Sequence, residues 1–240
     1  MGNENGEWIM YGVDEDDPYR IKTVAELISY INEIGFLPLF KNTISGFSVE
    51  ERTLARDWWS GDQERDPWEW REIIASTGEI AYGKFFDKKA GFISLKWLPV
   101  FANWRRDGYD FDARWEDGKA HYRSKKIMDL FDADTELFSF EVKQKGGFRK
   151  GGEKNFEGTV TDLQMQTYLV IRDFRRRVNK AGLPYGWPIA VYTTPEAIWG
   201  YELLTSAYHE APEASKARIY AHIENEYPIA TDEQIKRLLK

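Results

Sequence analysis

Residues 146–194 read GGFRKGGEKNFEGTVTDLQMQTYLVIRDFRRRVNKAGLPYGWPIAVYTT, and their order decides the fold. GGFRKGG (146–152) is a glycine-rich turn, because glycine enters backbone conformations that other residues avoid. The spacing of Phe156, Val160 and Leu163 predicts a helix over about 153–166 with one apolar face. Tyr168 to Phe174 reads as a strand and Arg175 to Gly186 as a basic connection containing glycine and proline. Trp187 to Tyr192 reads as a second strand, with Ile189 and Val191 on one side.

Working outward, a helix is predicted over about 120–131 from Ile127, Met128, Leu130 and Phe131. A short extended piece follows at 135–138, and Ser139 opens a second helix to about 145. Three helices followed by a hairpin with a basic tip is the layout of a winged helix. Downstream, helices are expected from Pro195, from Pro212 and from Thr231. Upstream, Thr23 with Glu26 forms a capping box that opens a helix ending at Gly35, and Ser48 with Glu51 repeats the signal towards Trp58 and Trp59. Asp66-Pro67 starts a helix that runs through Trp68, Trp70, Ile73 and Ile74 to Gly78. Ser94 starts a fourth, carrying Leu95, Trp97, Leu98, Phe101 and Trp104. The polar, turn-rich stretch 107–118 marks a boundary. No internal repeat is visible.

The expected class is therefore mainly α with small β-hairpins (α+β). It comprises an acidic N-terminal segment (1–22), a helical, winged-helix-like region (23–118), a winged-helix domain (119–194) and C-terminal helices (195–240).

Composition excludes several functions. No run approaches the roughly 18 apolar residues of a membrane span. The N-terminus lacks the basic start and apolar core of a signal peptide, so the cytoplasm is the default location. Cysteine is absent, which removes disulfides, zinc–thiolate sites and thiol catalysis. His121, His209 and His222 are far apart, so no metal or other cofactor is expected. Aromatic residues make up 15% of the chain, ten of them tryptophan, and most are expected in the core.

The net charge of −7 is unevenly spread. Residues 1–20 carry six acids and one arginine, whereas residues 141–180 carry ten Lys/Arg and five Asp/Glu. Local charge, more than the total, governs association with a polyanion.

Arg149, Lys150 and Lys154 at the start of the third helix, with Arg175, Arg176, Arg177 and Lys180 on the wing, form a two-pronged candidate surface for double-stranded DNA. The competing reading is a solvated basic face on a protein–protein module. Gln164 and Gln166, with Asp162, are the candidate catalytic set: amides and a carboxylate can orient water and stabilise a developing sugar cation. Polar residues ending a helix have the same look.

Glu141-Val142-Lys143 resembles the Glu-x-Lys of metal-dependent nucleases. Asp129, Asp132 or Asp134 would be the upstream acid, and Gln164 and Tyr168 would be the downstream pair. Asp62, Glu64, Asp66 and Glu69 fit the start of a helix, where the macrodipole favours acids. Tyr82 to Phe86 is expected to pack in the core.

Residues 146–174 and YGWPIAVYTTPEAIWGYE (185–202) resemble the AlkZ-related bacterial proteins. So do GFLPLF (35–40), GFSVEE (46–51), DPWEWREII (66–74) and YGKFFDKKAGFISL (82–95). That group is named for distant similarity to AlkZ and YcaQ, winged-helix DNA glycosylases. The resemblance implies tandem winged helices and, if catalysis is retained, release of a damaged base. Those enzymes use a Gln-x-Gln or Gln-x-Asp pair near the N-terminus. Here the matching string is Gln164-Met165-Gln166, late in the chain.

Overall fold

Short strands that pair with the far arm of a later hairpin set the topology of this chain twice. The computed structural model describes residues 10–240. In the first half, α1 (Val24–Ile34) leads into β1 (Phe36–Pro38), and α2 (Pro67–Thr77) leads into the hairpin of β2 (Ile80–Phe86) and β3 (Lys89–Ser94). The sheet order is β1-β3-β2, antiparallel throughout. Next come α3 (Leu98–Arg106) and α4 (Phe111–Glu116). The second half comprises α5 (Tyr122–Met128), β4 (Leu137–Phe138), α6 (Ser139–Lys145), α7 (Phe156–Met165), β5 (Val170–Val178) and β6 (Pro184–Thr193). Its sheet order, β4-β6-β5, is the same pattern. The two sheets thus share a strand order that the sequence does not display as a repeat.

Several local expectations are revised. The capping box at Ser48 forms, with its hydroxyl bonded to the Glu51 N–H and carboxylate, but only two 3-10 turns follow, Glu50–Arg52 and Ala55–Asp57. Competing hydrogen bonds hold this segment. The Val49 and Glu50 amides donate to Pro38 and Leu39, and the buried Glu50 carboxylate accepts from the Tyr11 and Lys41 amides at 2.9 and 2.8 Å. Ser94 ends a strand instead of opening a helix, which begins at Leu98. The β2–β3 hairpin was not foreseen, because a nearly continuous apolar run has no alternation to reveal it. Tyr82, Phe85 and Phe86 are buried in it. On the wing, the strands take up most of what reads as a connection, leaving only 179–183 as the tip.

The described part of the acidic segment packs on the first half of the chain. The Val13 amide donates to Thr53 O and the Ile21 amide to Arg52 O, so residues 10–22 lie along the 49–57 stretch. Residues 1–9 of the expected N-terminal segment are outside the described residues.

The core centres on Phe36, whose ring meets Phe101 at 4.9 Å, Trp97 at 5.4 Å and Phe47 at 5.9 Å. After α8 (Pro195–Trp199) and α9 (Tyr201–Leu204), α10 (Pro212–Glu226) and α11 (Asp232–Leu239) return to the first half. Asn103 donates to Glu210 O and Ser215 Oγ, Tyr227 lies 4.4 Å from the Phe47 ring, and Gln234 donates to Thr43 O at 2.7 Å. Among the described residues, no helix is long and apolar enough to cross a membrane.

Candidate nucleic-acid interface

The glycine-rich loop after α6 is a built turn. Phe148 donates its amide to Lys143 O, Gly152 to Arg149 O and Glu153 to Gly147 O, at 2.8–3.0 Å. The buried Phe148 ring anchors the loop on Phe156 at 5.3 Å. Glu153 is drawn back by Arg123 and Lys126, whose hydrogen bonds hold its carboxyl below the usual range. Arg149, Lys150 and Lys154 are left exposed, and none of them is in an ion pair among the described residues. Because α7 begins at Phe156 instead of about 153, these cations sit on the loop before the helix and not in its first turn.

The wing's cations divide into two kinds. Arg175 bonds Glu136 at 2.7 Å and Asp173 at 2.5 Å. Partial burial opposes its charge, but these two carboxylates outweigh that and raise its pKa. It is a strut that braces the sheet. Arg177 places its guanidinium 4.3 Å from the Phe140 ring, at the start of α6. Arg176 and Lys180 are exposed and unpaired. The seven residues of α6, roughly 10 Å long, carry exposed Lys143 between the wing base and the loop. One helix therefore links the two cationic prongs.

The wing also carries an apolar edge that sequence reading missed. Val178, Leu183, Tyr185 and Trp187 are all exposed, Trp187 at 86%. Arg175 pairs with Ile189 and Arg177 with Tyr185, so three residues of β6 oppose one of β5. Gly186, at φ 75°, and Pro188 flank the extruded Trp187. A bulge of this kind re-aims a side chain and interrupts the ladder. The signal that could have revealed it was the Gly-Trp-Pro triplet inside a strand pattern.

The candidate catalytic set is not assembled in one cavity. Gln164 is fully buried: its Oε1 accepts from the Lys84 amide at 3.0 Å, and its Nε2 donates to Val160 O at 3.3 Å. It covers the free edge of β2 with α7. A Cβ on Gly83 would lie 3.3 Å from that Oε1 and 2.9 Å from the Phe85 ring, so glycine permits the approach. Gln166 is half-buried where α7 ends, and Asp162 is exposed. Asp162 instead lines a cleft of about 410 Å³ with His121, Tyr122, Ser124 and Asn155.

The seam around Gln164 is braced further by Lys84 Nζ on Thr161 Oγ1 and by Arg105, which donates to Phe85 O and Met165 O. Burial lowers the Arg105 pKa to about 9. Just beyond, Thr167 sits at φ 61°, a costly conformation for a β-branched residue. Buried Arg106 holds it there, donating to Thr167 O at 2.6 Å and bonding Glu196, with its guanidinium 4.5 Å from the Tyr168 ring.

The nuclease arrangement does not form. Glu141 and Lys143 lie in a helix instead of a strand, and the Glu141 carboxylate caps it by accepting from the Phe138 amide at 2.9 Å. Asp129 pairs with Lys125 and Asp134 with Lys145. Among the described residues, no three acids or histidines converge as metal ligands.

The family model described as AlkZ related matches residues 21–240, nearly the whole described chain. The chain belongs to the AlkZ-related family. No curated protein and no solved structure matches it. In this AlkZ-related chain, the family match spans both sheets, the loop at 146–155 and the bulged wing.

Proposed function

We propose that this protein binds double-stranded DNA through a winged-helix unit, residues 119–194, using its cationic loop and wing, and that Gln164 does not catalyse base release. The element order helix, strand, two helices and hairpin, with the first strand against the last, supports the winged-helix reading. Residues 23–118 form a second, reduced copy in which 3-10 turns replace the middle helix, buttressed by 195–240. The observation that carries the proposal is a cluster, among the described residues, of exposed cations without carboxylate partners: Arg149, Lys150 and Lys154 on the loop, and Arg176 and Lys180 on the wing. A net-acidic protein that gathers unpaired cations on one loop and one hairpin leaves them open to phosphate.

The grip differs from major-groove reading by a recognition helix. α7 contains Glu157 and Asp162 and no Lys or Arg, and one of its sides is spent on β2. Phosphate contacts position a protein without reading sequence, so binding is sequence-tolerant. The AlkZ-related assignment is consistent with a role near DNA repair. The Gln-x-Gln string, with its first amide buried, is consistent with a relative that has lost that chemistry or performs it elsewhere.

Binding of a fluorescent duplex by the full chain at low and raised salt tests the proposal. Salt-sensitive binding that falls in the Arg149→Glu, Lys150→Glu, Lys154→Glu triple variant is expected. Salt-independent binding, or none, refutes it and favours a protein partner.

A further inference from the structure

The wing's extruded tryptophan is the most exposed large hydrophobic side chain among the described residues. Trp187 is 86% exposed, although tryptophan is a side chain that folding ordinarily uses to bury large apolar area. Its position is not a frayed end. It occupies a three-against-one bulge inside a paired hairpin, between Gly186 in the left-handed region and Pro188, which has no amide to offer the ladder. Tyr185 and Leu183, 49% and 62% exposed, follow towards the tip, and Val178 lies across from Pro184. Arg176 and Lys180 flank this edge with free charge, and Arg177 lies at its base over Phe140.

We infer that Trp187 is a stacking blade for an unpaired or unstacked base in duplex DNA, so that the protein prefers a duplex interrupted by such a base to a fully paired one. This inference rests on the DNA-binding reading above and deepens it. The physical basis is the pairing of an aromatic face with adjacent cations. Phosphates on either side of a displaced base meet Arg176 and Lys180, and the base, already out of the stack, covers the indole. Apolar side chains inserted between base steps must otherwise disrupt the stack themselves. A base that is already free removes that cost. Charge complementarity selects an anionic occupant over an apolar protein groove, and the DNA-binding reading above makes that occupant nucleic acid.

The test compares two fluorescent probes with the full-length protein at fixed salt: a paired duplex, and the same duplex with one extra unpaired adenine. The wild type is expected to bind the interrupted probe at least about fivefold more tightly, the scale of one base–aromatic stack. Trp187→Ala should bring that ratio to one while keeping affinity for the paired duplex, and Trp187→Phe should restore part of it. The side chain is exposed, so an unchanged circular dichroism spectrum and melting temperature are expected for the variants. Equal binding of both probes by the wild type, or a preference that survives Trp187→Ala, overturns the inference and leaves the DNA-binding reading standing. No binding of either probe overturns that reading and the inference with it. Self-association lost in Trp187→Ala without any probe preference assigns the blade to a protein contact and also overturns it.

Discussion

Replacing Gln164 with alanine separates a structural role from a chemical one. The change removes the acceptor for the Lys84 amide, 3.0 Å away, and the donor to Val160 O. The Val160 carbonyl has its own helical partner four residues on. The orphan is therefore the Lys84 amide on the edge of β2, covered by α7. An unsatisfied donor at a packed seam costs about 1–3 kcal/mol. For a chain of this size, about 2–4 °C of melting temperature accompanies each kcal/mol, so a drop of roughly 2–12 °C is expected. Thermal and urea denaturation read it directly, and the urea slope should be unchanged. Duplex affinity of the folded variant should match the wild type. An unchanged melting temperature together with loss of a measured base-release activity would refute the reasoning and return Gln164 to the chemistry.

Other outcomes follow from the same contacts. Arg106→Met leaves the Thr167 carbonyl without its donor, while Glu196, 28% exposed, regains water, so a loss of about 1–3 kcal/mol on urea unfolding is expected, the scale for an unsatisfied buried group. A Gly83→Val variant should also be less stable to urea, by about 1–3 kcal/mol, since its side chain would press on Phe85 and the Gln164 amide. Burial raises the pKa of Tyr82 to about 12 and pushes Tyr168, Tyr192 and Tyr227 up as well. Because these folded values exceed the unfolded one, their contribution to stability is fully present below about pH 10 and is lost as pH rises through the folded values. Burial raises Tyr208 and Tyr220 too, so an absorbance titration should show six of the 13 tyrosines lagging the others, and the lag should vanish in urea.

Much of the second half was legible because its signals were local. Phe156, Val160 and Leu163 at helical spacing, the glycines of 146–152 and the β-branched run after Tyr168 each carry their own reason for a helix, a turn or a strand. The first half was less so. Ser48 gave a valid cap, but the amides after it were claimed by Pro38 and Leu39, which are distant in sequence. The β2–β3 hairpin lay hidden because both faces of β2 are buried and no alternation marks it. At the site, charge type was legible and charge partnership was not. Arg175 and Arg176 are identical as letters, and only the fold assigns Glu136 and Asp173 to the first and leaves the second free. The burial of Gln164 was hidden from the sequence for the same reason. Its amide was spent on Lys84, 80 residues away.

The central claim is that one cationic edge, running from the 147–155 loop along α6 to the wing, holds DNA. Amide hydrogen exchange of the full chain with and without a saturating duplex at low salt tests it most directly. The account predicts that added protection is confined to residues 139–155 and 175–188. Protection centred instead on α10 or the 410 Å³ cleft beside His121, or none anywhere, would contradict it.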